Sequence, residues 1–342
     1  MNILVTGGAG YIGSHTCLRL IEKGHQVSVL DNLCNSSHEP LRRVELMTNS
    51  QIPVFIGDVR DADTVASVLR DGQFDSIIHF AGLKSVSESF DKPTEYHDVN
   101  CIGTLTVART AVQLGIKRLV FSSSATVYGN QDTMPIPENA PTAPTSPYGE
   151  SKLAAERVLC GLQDECSSFS IANLRYFNPV GAHESGRLGE DPRGVPANLM
   201  PFLARVAAGV YRELLIYGND YPTVDGTGVR DYIHVVDLAD AHVAALSALQ
   251  KRPRRITWNV GRGVGISVAQ IVSAFERTTG INVPCRVAHR REGDIAESYA
   301  DVTRITEESE WRPHKDLDSM VRDLWRWQSL NPHGYSGAST PT

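Results

Sequence analysis

The stretch "TGGAGYIG" (residues 6–13) follows the β-forming run "NILV" and leads into "YIGSHTCLRLIEKG", where apolar residues recur at helical spacing up to Gly24, a good C-terminal cap. Strand, glycine loop and helix in that order predict a phosphate-cradling turn. Gly7, Gly10 and Gly13 allow a tight turn and close backbone approach, and the unpaired N–H groups of the helix start favour a diphosphate. A glycine loop alone is a weak signal. Here the next strand, "QVSVLDN", ends in Asp31, 18 residues beyond Gly13, where a carboxylate accepts from an adenosine ribose and repels a 2′-phosphate. The pattern predicts NAD rather than NADP. Asp58, ending "VFIGD", is placed to reach the adenine edge, although a loop-capping role is the alternative. His79, in "HFAG", is read as a buried histidine and not as a catalyst.

The rhythm continues outward. "SIIHFAG", "KRLVFSSS" and "IANLRYFN" are further strand candidates, and "TEYHDVNCIGTLTVARTAVQLG" predicts one long helix ending at Gly115. The expected fold class is α/β, a Rossmann-type doubly wound parallel sheet over residues 1–177 that holds the dinucleotide. After residue 178 the chain loosens into "GAHESGRLGEDPRGVP", then returns to helices at "NLMPFLARVAAG", "VVDLADAHVAALSAL", "SVAQIVSAFERTTG" and "LDSMVRDLWRWQSL". Residues 178–342 are therefore read as a smaller mixed α/β substrate domain, with part of 230–262 packing back onto the first. The tail "GYSGASTPT" is predicted to be mobile.

A 342-residue chain that is 41% hydrophobic and 21% charged is long enough for two domains, and a formal net charge of −6 offers no broad basic surface for nucleic acid or anionic membrane. The six cysteines lack C-x-x-C spacing, which argues against a metal site and for reduced thiols. With no leader-like segment and no apolar run near membrane length, the reading is cytoplasmic and non-membrane.

The chemistry lies in "FSSSATVYG" and "SPYGESK". Ser124 ends a strand of the sheet, and Tyr148 and Lys152, four apart at a helix start, share one face. By itself a Tyr-x-x-x-Lys pair is more often a solvated helix face. Beside a dinucleotide crevice, the three converge as a general base and its supports. Bringing a phenol from pKa near 10 to about 7 needs roughly 4 kcal/mol of differential stabilisation, and the Lys152 ammonium with an oxidised nicotinamide has the right sign.

Through Gly7/Gly10/Gly13, Asp31, Ser124 and Tyr148-x-x-x-Lys152 the chain resembles the extended short-chain dehydrogenase/reductase family. Through "HFAGLKSVSES", "SSSATVYG", "LRYFNPVGAH", "NLMPF", "GNDYPTVDGTGVRDYIHVVDLADAH" and "RREGD" it resembles that family's UDP-glucose 4-epimerases, from residue 1 to about 335. The resemblance implies epimerisation of a UDP-hexose on tightly held NAD by way of a 4-keto sugar. Tyr148 would take the 4-hydroxyl proton, Ser124 would bond the reacting oxygen and relay its proton, and Lys152 would hold the nicotinamide ribose. It extends the cofactor site to Tyr11, Ile12, Asn32, Asn35, Val59, Phe80, Ala81, Gly82, Lys84, Ser122 and Tyr176. It assigns UDP-sugar contacts to Lys84, Asn178, Asn198, Leu199, Tyr217, Arg230, Arg291, Asp294 and Ser298, and implies a homodimer joined by helices near 94–114 and 149–164.

Two positions depart from the family pattern. Val99 stands where related epimerases often carry asparagine. Ser298 stands where a bulky tyrosine accompanies restriction to unsubstituted hexoses, so room for UDP-N-acetylglucosamine and UDP-N-acetylgalactosamine is expected unless Tyr299 fills it. A sugar-nucleotide 4,6-dehydratase is disfavoured because Ala125 and Thr126 replace the expected Asp-Glu pair. A non-catalytic dinucleotide sensor would have no use for Ser124, Tyr148 and Lys152 together.

Overall fold

The computed structural model describes residues 1–251, 254–291 and 294–337. In the first half strands and helices alternate: β1 (Asn2–Thr6), α1 (Tyr11–Glu22), β2 (Gln26–Asp31), α2 (Glu39–Thr48), β3 (Val54–Ile56), α3 (Ala62–Gly72) and β4 (Ser76–His79). There follow α4 (Val86–Asp91), α5 (Pro93–His97), α6 (Gly103–Gln113), β5 (Arg118–Ser124), α7 (Pro147–Glu165) and β6 (Ser170–Tyr176). The second half holds β7 (Asn178–Val180), α8 (Leu199–Ala207), β8 (Leu214–Tyr217), β9 (Val229–His234), α9 (Val235–Lys251), β10 (Arg255–Val260) and β11 (Gly265–Ser267). It ends with α10 (Val268–Thr279), β12 (Cys285–Ala288), β13 (Glu297–Ser298), α11 (Thr303–Glu308) and α12 (Leu317–Leu330).

Seven strands form one sheet in the order β10-β6-β5-β4-β1-β2-β3, with parallel pairing throughout. Strand residues alternate between the faces, and apolar cores cover both. Ile3 and Val5 pack with α1 and α9 on one side, while Leu4 and Leu30 pack with α3, α6 and α7 on the other. The order reverses between β1 and β4. Crossovers diverge there, and a crevice opens at the carboxyl ends of the strands.

A second group of strands, β11-β9-β13 with β7 also on β9, and the parallel pair β12-β8, packs with α8, α10 and α12 around Met200, Leu203, Phe275 and Leu324. Strand β10 joins the large sheet as its seventh member, next to β6. Asp231 ties the second group together: its buried carboxylate accepts from the N–H groups of Arg262 (2.7 Å), Gly263 (2.9 Å) and Ala300 (3.1 Å).

Two local expectations are corrected. The single helix predicted over 94–115 is α5, a π-type turn over Asp98–Ile102, and α6. The wider turn carries fully buried Asn100, whose amide bonds the Leu83 backbone and the Ser151 hydroxyl. At the other end, Gly334–Gly337 is a 3₁₀ turn rather than a mobile tail. The Tyr335 hydroxyl bonds the Gly189 backbone and its ring packs on Trp327 and the Arg43 guanidinium, an apolar and cation–π anchorage absent from a Gly/Ser reading. The rest of that predicted tail, 338–342, lies outside the described residues, as do Glu292 and Gly293 of "RREGD". Among the described residues no helix is long and apolar enough to cross a membrane.

Candidate active site

A cleft of about 430 Å³ lies over the carboxyl ends of the sheet, with the glycine loop as its floor. Gly7 has φ of +69°, and a Cβ there would lie 2.6 Å from the Ala81 nitrogen; a Cβ on Gly13 would strike the Gly7 carbonyl. Helix α1 starts with Gly10 as its cap residue, no side-chain cap and no acidic residue in the first turn. Its N–H donors therefore face the cleft without an internal acceptor, which fits a dinucleotide diphosphate. Tyr11 and Ile12 line the same turn, and the Tyr11 hydroxyl donates to the Gly181 carbonyl at 2.7 Å.

At one end of the cleft Asp31 organises two loops. One carboxylate oxygen accepts from Ala9 N–H at 3.1 Å, the other from Leu33 N–H and the Ser36 hydroxyl, both at 2.9 Å. Asn32, Asn35, Asp58 and Val59 line this end with it. Asp58 is already engaged: Arg60 donates to both its oxygens at 2.9 Å and Asn32 to one at 3.1 Å, which holds the carboxyl down to about 2. From the loop that follows Glu190, Arg193 donates to the carbonyls of Cys34 and Ser36, each at 2.6 Å, and of Leu33 at 3.3 Å.

Midway, Phe80, Ala81, Gly82 and Lys84 form a wall at the end of β4. Asn100 holds this wall to α7, because Leu83 N–H donates to its carbonyl oxygen (2.8 Å) while its NH₂ donates to Ser151 Oγ (2.9 Å). Lys84 pairs with Glu190 at 2.9 Å, and the carboxylate raises the ammonium's pKa. Val99 also lines the cleft.

The opposite end is the reactive one. Ser146 caps α7, accepting from Gly149 N–H at 3.2 Å with Pro147 at the first helical position, so Tyr148 and Lys152 leave the first turns on the cleft side. Ser124 ends β5 opposite Tyr176 of β6, and the Tyr176 hydroxyl meets the Ser122 hydroxyl at 2.8 Å. Tyr148, Lys152 and Ser124 are all buried. The Lys152 amine donates to the Ser122 carbonyl at 3.0 Å and lies 5.0 Å from the centre of the Phe121 ring. Burial lowers its pKa to about 8, with Glu156 opposing. Burial also pushes the Tyr148 phenol above its ordinary value, and Tyr176 and Tyr96 add to this; the Ser124 hydroxyl is the one neighbour that pulls it down. The apolar setting that excludes water disfavours phenolate, so the protein by itself keeps Tyr148 protonated, and the expected lowering rests on the charge of an oxidised nicotinamide. His79 is satisfied in the core by Thr6 (2.6 Å) and Thr104 (3.0 Å), which matches its reading as a buried histidine.

Of the remaining sequence-predicted residues, Asn178, Asn198 and Leu199 line the cleft. Tyr217, Arg230, Arg291, Asp294 and Ser298 do not line it and are paired among themselves. The Arg291 guanidinium stacks 3.8 Å from the Tyr217 ring centre, Arg230 lies 3.8 Å from Asp294, and Ser298 is in register with Arg230. Arg230 shares a face of β9 with Tyr232, which does line the cleft. Sequence reading missed Glu190, Arg193, Arg60, Thr126 and Tyr232. Glu190 and Arg193 sit in an aperiodic loop, where only their charge gave a signal. Among the described residues no cluster of three or more His, Cys, Asp or Glu is arranged to hold a metal.

The family model described as GDP-mannose 4,6 dehydratase matches residues 4–324. The UDP-glucose 4-epimerase of Bacillus subtilis is 50% identical over 99% of this chain and 100% of its own, and that of Yersinia pestis is 50% identical over 98% and 99%. The crystal structure of UDP-glucose-4-epimerase from Stenotrophomonas maltophila with bound NAD and formylated UDP-arabinopyranose superposes with a TM-score of 0.95 at 48% identity, covering 97% of this chain and 99% of that one. The Bifidobacterium longum enzyme in complex with NAD⁺ and UDP gives 0.93 at 46%, covering 98% and 100%. A dinucleotide cradle, a Tyr/Lys/Ser cluster at the same crevice and half-identity along nearly the whole length agree: the chain belongs to the UDP-glucose 4-epimerase family.

Proposed function

We propose that the protein interconverts UDP-galactose and UDP-glucose on NAD held in this cleft, without net oxidation. The observation that carries the reading is the shared cleft, with the glycine cradle and Asp31 at one end and Ser124, Tyr148 and Lys152 at the other. When bound, oxidised NAD supplies a hydride acceptor that later returns the hydride, and a positive charge that opposes the burial penalty on the Tyr148 phenolate. Tyr148 removes the 4-hydroxyl proton and gives it back. Lys152, with its pKa near 8, remains largely protonated at neutral pH and would hold the nicotinamide ribose. Arg230 and Arg291 offer forked, permanently charged donors to the UDP diphosphate. Holding the diphosphate alone leaves the hexose free to present either face.

Residues 1–177 with β10 serve the dinucleotide in this reading, and 178–342 supply the UDP-sugar contacts. The protein works in the cytoplasm, a compartment suited to its free cysteines. It works as a homodimer, for which exposed Val86, Phe90 and Ile102, on α4 and just before α6, offer apolar surface beside α7. Coupled detection of UDP-glucose from UDP-galactose tests the function. Turnover by the purified protein, lost in Tyr148→Phe with NAD still bound, is expected; no UDP-glucose from the unsubstituted protein overturns it.

The acetylated sugars are proposed as additional substrates. Ser298 offers a small side chain, and the Tyr299 ring is spent elsewhere, with Cδ1 only 3.0 Å from where a Cβ on Gly265 would sit. Epimerisation of UDP-N-acetylglucosamine is expected to disappear in Ser298→Tyr while UDP-galactose turnover persists. Equal inactivity of both proteins toward the acetylated sugar refutes this part.

A further inference from the structure

Ser124 does more than end β5. It caps the 3₁₀ turn Ala125–Tyr128, with its oxygen accepting from Thr126 N–H at 3.2 Å and from the Thr126 hydroxyl at 2.9 Å. A serine oxygen has two lone pairs and one proton. Both lone pairs are therefore taken by one residue, and the single remaining capacity of Ser124 is to donate.

We propose that Thr126 is a positioning residue that fixes the polarity of Ser124, so that Ser124 meets the Tyr148 oxygen and the sugar as a hydrogen-bond donor alone. This inference rests on the epimerase reading and deepens it. A relay would require Ser124 to accept the 4-hydroxyl proton on an oxygen with no free lone pair. The proton instead passes directly: the O4–H bond breaks, the Tyr148 Oη–H bond forms, and Ser124 keeps its own proton throughout. A donor aimed at the phenolate also accounts for why Ser124, alone among the neighbours of Tyr148, pulls its pKa down. The other groups facing that phenol work against ionisation or leave it unmoved. Tyr176 from β6 and Tyr96 from α5 raise it, Glu88 of α4 accepts from the Tyr96 hydroxyl and from Lys92, both at 2.9 Å, and Lys152 is held by the Ser122 carbonyl. None of these contacts involves Thr126.

The test is the pH dependence of kcat in Thr126→Val, which keeps the shape but removes the hydroxyl donor, against Thr126→Ser, which keeps the donor. With Ser124 free to rotate, its donation to phenolate weakens and the acidic limb of the profile moves to higher pH. Below the limb the Val variant is expected to be about three- to tenfold slower than wild type, converging with it at high pH, and the Ser variant to follow wild type. An unmoved limb in the Val variant, or the same movement in both variants, overturns the proposal. Should Thr126→Val fail to fold, Thr126→Ala, which likewise removes the hydroxyl donor and keeps the backbone N–H, takes its place in the same comparison. Ultraviolet difference titration of the tyrosinate in the NAD complex, with Tyr148→Phe as blank, reads the same shift without turnover. Absence of epimerisation in wild type would thus sink the function while leaving this inference separately measurable.

Discussion

Removing the Arg193 side chain should loosen the dinucleotide. Its guanidinium ties the loop after Glu190 to the cleft's edge, donating three hydrogen bonds to the carbonyls of Leu33, Cys34 and Ser36 on the loop shaped by Asp31, while its own backbone follows Glu190, the partner of Lys84. A charged donor in a buried site is worth more, but this one is exposed and water competes for the same carbonyls. At about 0.5–1 kcal/mol for each bond, the strap contributes roughly 1.5–3 kcal/mol. If the two loops part only when the dinucleotide leaves, that energy sits in the release barrier, and Arg193→Ala should release NAD roughly ten- to a hundredfold faster. Arg193→Lys keeps the charge without the fork and should fall between. The assay loads the protein with NAD, dilutes it into a trap, and follows release by cofactor fluorescence after rapid reduction of the retained fraction. Release unchanged in Arg193→Ala, with thermal stability intact, refutes the strap.

Two stability predictions follow from the buried polar groups. Glu156 pairs with Arg175 at 2.6 Å beneath Ser123, so Glu156→Gln leaves a buried guanidinium without its counter-charge and should lower stability by about 3–5 kcal/mol, read by denaturant unfolding. An unfolding midpoint within error of wild type would contradict it. Burial lowers the pKa values of His15 and His79 to about 3 and of His242 to about 4, so below pH 6.5 the unfolded chain binds protons that the fold refuses. Asp231, raised by burial to about 6, works in the opposite sense, as do the smaller upward shifts of Glu138 and Asp237. Net stability should therefore fall by roughly 1–3 kcal/mol for each pH unit between 6 and 5, a slope that His242→Gln makes shallower; a flat or rising profile there would be inconsistent with neutral buried histidines.

What the sequence made legible is what is local. The glycine loop, Asp31 at a strand end and the Tyr148/Lys152 spacing each declare themselves within one turn or one strand, and in the structure they share one cleft. Pairings across the chain were not legible. Lys84 meets Glu190 from 106 residues away, and Arg193 reaches a loop about 160 residues earlier, both from a stretch with no periodicity. Periodicity likewise passed over the π-type turn that carries Asn100, because an inserted residue shifts the helical phase without altering composition. Burial of the Tyr148 phenol was not legible for a different reason: charge counting registers Lys152 and the nicotinamide, but burial is a property of the packed fold.

Transient removal and return of hydrogen at C4 is the central claim, and UDP-galactose deuterated at C4 tests it most directly. Incubated with the NAD-loaded protein, the label should be found at C4 of the UDP-glucose formed, with none exchanged into water. Deuterium lost to solvent, or UDP-glucose formed equally fast by Tyr148→Phe, would contradict the account.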